Sequence, residues 1–417
     1  MQQIRSNLGF QDDSQIEYIE TLCSGRSRIH ANRAIASSME LPKRIAIVHE
    51  WFTSMRGGEK CVEALCEVFP EATLFALLHV KGSVSPTIEH MPIRTSFVQH
   101  LPFAAEHYRY YLPLFPSAIE RLDVSDFDLV ISSNHCVAKG VRAAPHTLHI
   151  CYCYTPMRYI WGLYDEYFGK DRAGFITRAG MKLFLNYLRR WDVRTAVRPN
   201  HFVAISHNVR HRIREIYGRS SDIIYPPVDA SVFTLSRRRE DYFLIVSALV
   251  PYKRVDLAIE AFNRTGDKLL IVGDGPDESK LYKTAQPNIE FVGWASEQQL
   301  KAYYAGCQAL VFPGEEDFGI VPLEALASGK PVIAYAKGGC LETVKDTPEF
   351  KTGILFREQT VDSLVAAIRR FKETEFSAES LRSFALTFDK KEFKRRMKEY
   401  IEKRWKEFSE ASLQVLA

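Results

Sequence analysis

Two glutamates, Glu316 and Glu324, bracket seven residues in the run PGEEDFGIVPLEALASGKPVIAY. An ionised carboxylate accepts hydrogen bonds from sugar hydroxyls, each worth roughly 1.5–3 kcal/mol. The surrounding residues place the pair. Ala309 to Phe312 read as an apolar strand, Pro313 and Gly314 as a turn, and Ile320 to Ala327 as a helix stopped by Gly329 and Pro331. Glu316 then lies in a strand-to-helix loop, and Glu324 sits about one turn inside the helix. Such loops face the crevice at the carboxyl ends of parallel strands, where α/β folds take their ligands. Backbone N–H groups near Gly319 and Ile320 would point at an anion there. The chemistry expected is recognition of a ligand that carries both phosphates and hydroxyls.

Other residues fit the same ligand. Lys253 and Arg254 follow a strand and precede a helix, where paired cations would neutralise a diphosphate and ease its departure. Gly273 and Gly275, in IVGDGPDESKL, allow close backbone approach, although plain turn chemistry explains them equally and the third glycine of a dinucleotide fingerprint is absent. Gly293 and Trp294 end another strand and could frame a base or simply pack.

The chain has 417 residues, enough for two domains with separate cores. Hydrophobic residues at 46% and charged residues at 25% are ordinary for a soluble globular protein. A formal net charge of +4 is too small to argue for nucleic acid. The eight cysteines show neither CxxC nor zinc-finger spacing, and several sit in apolar runs, which fits a reducing cytosol. No apolar run is long enough to span a bilayer, and the first residues lack the apolar centre of a signal peptide.

The elements that must position these residues alternate. After a polar extension (1–42), strand patterns at Lys43 to Trp51, Leu129 to Ser132, His149 to Tyr154 and His201 to Ser206 are separated by helical ones. Those helices are expected at about Glu59–Phe69, Ala104–Tyr111, Ala179–Val197 and Val209–Tyr217. The segment YPPVD, Tyr225 to Asp229, denies both helix and central strand and reads as a linker. A second alternation follows. The expectation is α/β: two Rossmann-like, doubly wound domains, 43–228 and 229–389, facing across a deep cleft, with a helix at about 390–410 packing back on the first.

Taken together, these motifs resemble the retaining glycosyltransferases of family 4, of GT-B architecture. The resemblance runs from about Lys43 to Trp405 and is sharpest in EDFGIVPLEALASGKPVIA, LVPYKRVDLAIEAF, IYPPVD and HEWFTSMRGGEK. RTSFVQHLP, YLPLFPSAIERLD, DLVISSNHCVAKGV and YTPMRYIW make it most similar to bacterial mannosyltransferases of O-antigen and exopolysaccharide assembly. The resemblance implies roles. Glu324 would bind the donor ribose, Glu316 the transferred sugar, and Phe318, Gly319 and Ile320 would offer backbone amides. Lys253 would hold the diphosphate, and Gly57 and Gly58 would approach it from the first domain. Trp51, His135 and Arg158 are expected on the acceptor side.

This chain departs from the family pattern in two places. Ala248 stands where an arginine five positions before the lysine is usual, and Arg254 is expected to replace it. Tyr154 stands at the usual histidine beside the anomeric carbon, where it offers a hydroxyl and the same carbonyl; His135 or Arg158 could share its work.

The resemblance also implies front-face transfer in which the leaving phosphate takes the acceptor proton, with no enzymic nucleophile, cofactor or metal. Asp126 and Asp128 read as a solvated strand entrance. The expected donor is GDP-mannose and the expected acceptor a polyprenyl-diphosphate-linked glycan, met at the inner face of the cytoplasmic membrane. From Arg172 to Arg198, Phe175, Ile176, Phe184, Leu185, Leu188 and Trp191 interleave with Arg172, Arg178, Lys182, Arg189, Arg190 and Arg194. Such a segment suits an anionic bilayer or, equally, a helix with a solvated cationic face. A UDP-hexose donor, a sugar-nucleotide epimerase of the same fold, a nicotinamide oxidoreductase and a non-catalytic scaffold are the competing readings.

Overall fold

The structure, a computed structural model, describes residues 42–161 and 175–416. The extension up to residue 41 and Arg172 lie outside the described residues, as do the side chains of Phe175, Ile176, Arg178 and Lys182.

Apolar β-branched runs form two all-parallel sheets, buried on both faces as parallel sheets are. The first has seven strands: Ile45–His49 (β1), Thr73–Ala76 (β3), Ile93–Thr95 (β5), Leu129–Asn134 (β6), Leu148–Cys153 (β7), His201–Ala204 (β8) and Asp222–Ile223 (β9). Their order is β5-β3-β1-β6-β7-β8-β9, and every residue of β1, β6 and β7 is buried. A short pair, Trp51–Phe52 (β2) and Leu78–His79 (β4), lies beside it. The second sheet has six strands: Phe243–Val246 (β10), Leu269–Val272 (β11), Ile289–Gly293 (β12), Leu310–Phe312 (β13), Val332–Tyr335 (β14) and Gly353–Phe356 (β15). Its order is β12-β11-β10-β13-β14-β15. In both sheets the winding reverses beside the first strand, between β1 and β6 and between β10 and β13. Such a switch point opens a crevice at the carboxyl edge.

The linker is tied down rather than loose. Val228 N–H donates to Phe388 O at 3.1 Å, and Lys390 N–H returns to Val228 O at 3.0 Å, so both crossings between the sheets run side by side. Tyr225 stacks on Phe318 at 5.5 Å. The last helix, Lys390–Leu416, lies on the first domain. Lys394 meets Glu67 at 2.9 Å, Arg404 meets Asp222 at 2.8 Å, and Phe393 packs on Tyr152. One buried cluster therefore runs from Ile47 and Leu65 through Val228 and Phe318 to Leu323 and Ile401.

Ser206 fastens the domains at a point. Its hydroxyl accepts from Val209 N–H at 3.0 Å, capping the His207–Tyr217 helix, and donates to Asp317 O at 2.6 Å. Ser206→Ala removes a cap and a buried cross-domain bond, so it should lower unfolding stability by about 1–2 kcal/mol in urea titration. An unchanged midpoint would contradict the fastening.

Several elements differ from expectation. The helix expected over Ala104–Tyr111 is one α turn, Ala104–His107, followed by a 3-10 stretch, Tyr108–Leu114. His107 leaves the helical region (φ −125°, ψ 23°), and Pro113 offers no N–H to continue an α-helix. The helix after β2 begins at Gly57, ahead of the expected Glu59. Strands β3, β5 and β15 and the helix Ala378–Leu386 were not anticipated.

Candidate active site

The acidic motif sits at the switch point of the second sheet. Lys253 closes the loop after β10, and Glu316 and Asp317 lie in the loop after neighbouring β13. Gly319, at φ 94°, turns the chain into the Ile320–Ala327 helix. No side chain caps that helix, so its first N–H groups are left for a ligand. The close passage of residues 316–319 depends on Gly339, where a Cβ would fall 2.3 Å from Phe318 Cα.

Lys253 Nζ is in direct contact with Glu316 Oε1, and Arg158 Nη2 lies 3.9 Å from Glu316 Oε2. Burial, and next the Arg158 charge, push the Lys253 amine down to about 7; Asp317 opposes them. The Glu316 carboxylate touching the amine acts in the same direction as Asp317. An anion bound against it would raise Lys253 again, so binding of inorganic pyrophosphate near pH 8 should take up a proton. Calorimetry in buffers of different ionisation enthalpy reads this directly, and a buffer-independent enthalpy would contradict it.

Glu324, 8% exposed, accepts from Tyr304 Oη at 2.8 Å, and Lys60 of the first domain reaches to 3.8 Å from its other oxygen. Burial raises its pKa, with Lys60 and Tyr304 opposing. It opens on a cavity of about 120 Å³ lined also by Lys60, Val232, Leu300 and Ile320. A larger cavity, about 440 Å³, lies in the first domain between Phe75, Arg94 and Arg121, and neither glutamate lines it.

The first sheet presents its own switch point to this one. Gly57 and Gly58 start a helix that points at the Ile320 helix; a Cβ on Gly57 would stand 3.0 Å from Ile320 Cδ1. Beneath them, Glu50 is fully buried and its Oε1 accepts the N–H groups of His135, Cys136, Val137 and Ala138 at 2.8–3.2 Å. His135 Nδ1 lies 2.9 Å from Glu50 Oε2. Burial works to raise Glu50, but His135, His49 and the Cys136 N–H hold it down at about 2. His135 is thereby fixed at the end of β6, with its side chain 26% exposed. His49 Nδ1 meets Ser133 O at 3.2 Å and Ser133 Oγ at 3.0 Å, and its Nε2 faces Glu59 at 3.6 Å.

Four expectations need correcting. The Arg254 backbone is in the left-handed region at φ 53°, and its guanidinium is taken by Asp256 at 3.1 Å and Gln359 at 3.1 Å, so Arg158 and not Arg254 shares Glu316 with Lys253. Trp51 is buried, packed edge-on behind His135 at 4.8 Å, and supports that ring from the core. Gly273 and Gly275 serve the neighbouring loop: a Cβ on either would fall 2.0 Å from Ser247 O or 2.4 Å from Leu249 O. In the basic segment, Leu185, Leu188 and Trp191 are core residues, and Arg189 Nε donates to Ile160 O at 2.8 Å. Those three residues therefore face the core and not a bilayer, while Tyr187 and Val193 of the same helix remain exposed.

The remaining predicted residues are placed as follows. The Tyr154 hydroxyl bonds to Ser133 Oγ at 2.8 Å and Gly58 O at 3.1 Å, which anchors the glycine loop. Burial raises its pKa well above the usual phenol value. Phe318 is buried, and its ring stacks on the linker. Gly293 has a positive φ of 71° and open space around it, beside a Trp294 that is 77% exposed. Asp128 pairs with Arg44 at 2.7 Å. Among the described residues, His49, Glu50 and His135 bring ligating atoms within 4.8 Å of one another. The bond from His49 Nδ1 to a carbonyl and the four N–H groups on Glu50 suit a hydrogen-bonded relay better than a metal shell.

Sequence reasoning missed Asp317, Lys60, Glu50 and Ser206. A charged residue that folding buries, such as Asp317 at 7% exposure, looks like any other acid in sequence.

Two family models match. One, described as Glycosyltransferase Family 4, covers residues 55–232; the other, Glycosyl transferases group 1, covers 231–403. The chain is 31% identical over 164 residues to the O-antigen chain mannosyltransferase RfbU of Salmonella typhimurium, a match covering 36% of this chain and 46% of that one. It is 30% identical over 196 residues to a GDP-mannose-dependent alpha-(1-6)-phosphatidylinositol monomannoside mannosyltransferase of Mycobacterium tuberculosis, covering 39% and 50%. The matches thus span about half the length of these curated relatives. Among solved structures, Anabaena Alr3699/HepE in complex with UDP and glucose superposes with a TM-score of 0.62 at 15% identity, covering 85% of this chain and 98% of that one. No helix among the described residues is long and apolar enough to cross a membrane.

Proposed function

The chain belongs to the family 4, group 1 glycosyltransferases of GT-B fold, and on that premise we propose that it moves mannose from GDP-mannose onto a lipid-linked oligosaccharide with retention of configuration. The observation that carries this reading is the second switch point, where Lys253, Glu316 and an uncapped helix start stand together, with Glu324 one turn further on. A diphosphate there would lie against Lys253 and the N–H groups of Gly319 and Ile320, the ribose would face Glu324, and the hexose would extend toward the first domain.

Breaking the bond between the anomeric carbon and the phosphate oxygen builds negative charge on the leaving diphosphate. Lys253 and the helix start stabilise that charge as it forms. The acceptor hydroxyl forms the new bond on the same face, and its proton passes to the departing phosphate oxygen. Glu316 holds the hexose hydroxyls, and Tyr154 keeps the glycine loop in place. His135, fixed by Glu50, faces the acceptor. Glu316 and Glu324 lie on one loop-and-helix element, not on two sides of a bond as the two carboxylates of a glycoside hydrolase do. The reading requires no metal, and chelation with EDTA should leave the rate unchanged. The similarity to an O-antigen mannosyltransferase and a GDP-mannose-dependent enzyme supports the donor and the acceptor class. Such acceptors lie at the inner face of the cytoplasmic membrane, where the enzyme would bind peripherally.

A thermal-shift comparison tests the donor. GDP-mannose should raise the melting midpoint, whereas UDP-glucose and UDP-galactose should not. Protection by the UDP-sugars alone would overturn the donor assignment. Product formation without glycan transfer would indicate an epimerase, and neither hydrolysis nor transfer a scaffold.

A further inference from the structure

Around Glu316 two carboxylates meet three cations. Glu316 touches Lys253 and approaches Arg158, while Asp317 receives Arg158 at 2.6 Å and Arg212 at 3.0 Å. Asn208 adds a bond to Asp317 at 3.2 Å, and Ser206 holds the Asp317 carbonyl. All four partners of Asp317 come from the first domain, and Asp317 is itself 7% exposed. The loop after β10 supplies only Lys253 to this place, since Ala248 carries no charge and Arg254 is engaged elsewhere.

Arg158 follows the carboxyl end of β7 and crosses the cleft to reach Asp317, with Nε at 2.8 Å. That bond aims its guanidinium beside the Glu316 carboxylate that Lys253 already touches. Two like charges packed on one carboxylate repel each other, and Arg158 accordingly helps depress the Lys253 amine. A multiply charged anion beside them would relieve that repulsion.

We propose that Arg158, delivered by the first domain and aimed by Asp317 of the second, is the second cation of the diphosphate site. The site is then complete only when the two domains meet. Asp317 is a positioning residue, and closure of the cleft and grip on the leaving group become one event. The inference rests on the nucleotide-sugar reading above.

The test compares GDP with GMP, by calorimetry, on the full chain; UDP and UMP serve as the second probe pair. Arg158→Ala should weaken GDP about 10–100-fold while changing GMP less than about threefold, because the lost partner is the β-phosphate. Asp317→Asn should reproduce most of that loss, the double variant should be no weaker than Arg158→Ala alone, and Arg158→Lys should recover part of it. Equal losses for GDP and GMP, or losses from the two positions that multiply, would overturn the inference. Unchanged GDP affinity in both Arg158→Ala and Arg158→Lys would overturn it alone. A wild-type chain that binds neither nucleoside diphosphate would overturn the transferase reading and this inference together.

Discussion

Lys253→Ala should lower the maximal transfer rate about 10²–10³-fold, while donor affinity should fall by a much smaller factor. The expectation follows from where the charge develops. In the proposed complex the diphosphate charge would be spread over several oxygens and met by the helix start as well. As the glycosidic bond breaks, further charge would collect on the oxygen nearest Lys253. A buried ammonium acts on that increment with little screening. Removing it therefore costs more in the transition state than in the ground state. Its removal also leaves Glu316 with one cationic neighbour fewer, Arg158 remaining at 3.9 Å. Steady-state kinetics with separate donor titrations separate the effects: a loss confined to donor KM would mean that Lys253 only binds.

Glu324→Ala should have the reverse signature. Its carboxylate sits one helical turn below the anion cradle, buried, with one oxygen taken by Tyr304 and the other toward the small cavity. Hydroxyl bonds to an ionised carboxylate are worth roughly 1.5–3 kcal/mol, so donor affinity should fall about 10–150-fold. The ribose is remote from the breaking bond and is held alike in both states, so kcat should change little. Burial raises the Glu324 pKa, and an approaching Lys60 helps keep it ionised. Glu324→Gln, which keeps the shape but loses the charge, should fall between wild type and alanine. Unchanged donor affinity in the alanine variant would remove the ribose assignment.

Much of the second domain was legible because its signals are local. Strand, turn, glycine and helix follow one another from Ala309 to Ala327, and that order alone puts Glu316 in the loop and Glu324 on the helix. The alternation of buried strands with amphipathic helices likewise fixed the fold class. What sequence could not convey were relations across the cleft. Arg254 sits beside Lys253 in the chain and looked like its partner. A left-handed backbone at Arg254 turns that guanidinium to Asp256. Arg158, 95 positions before Lys253 in sequence, takes its place at Glu316. Gly273 and Gly275 looked like a ligand approach, but the close neighbour is another backbone, which spacing does not reveal. The basic segment before Arg198 has a pattern common to membrane-facing and core-facing helices; only packing shows that its Leu188 and Trp191 face the core.

A crystal structure of the chain with GDP measures the central claim most directly. The account predicts the diphosphate against Lys253 and the amides of Gly319 and Ile320, with the ribose hydroxyls on Glu324. Well-ordered GDP elsewhere, for instance in the first-domain cavity between Phe75, Arg94 and Arg121, with both glutamates unoccupied, would contradict it.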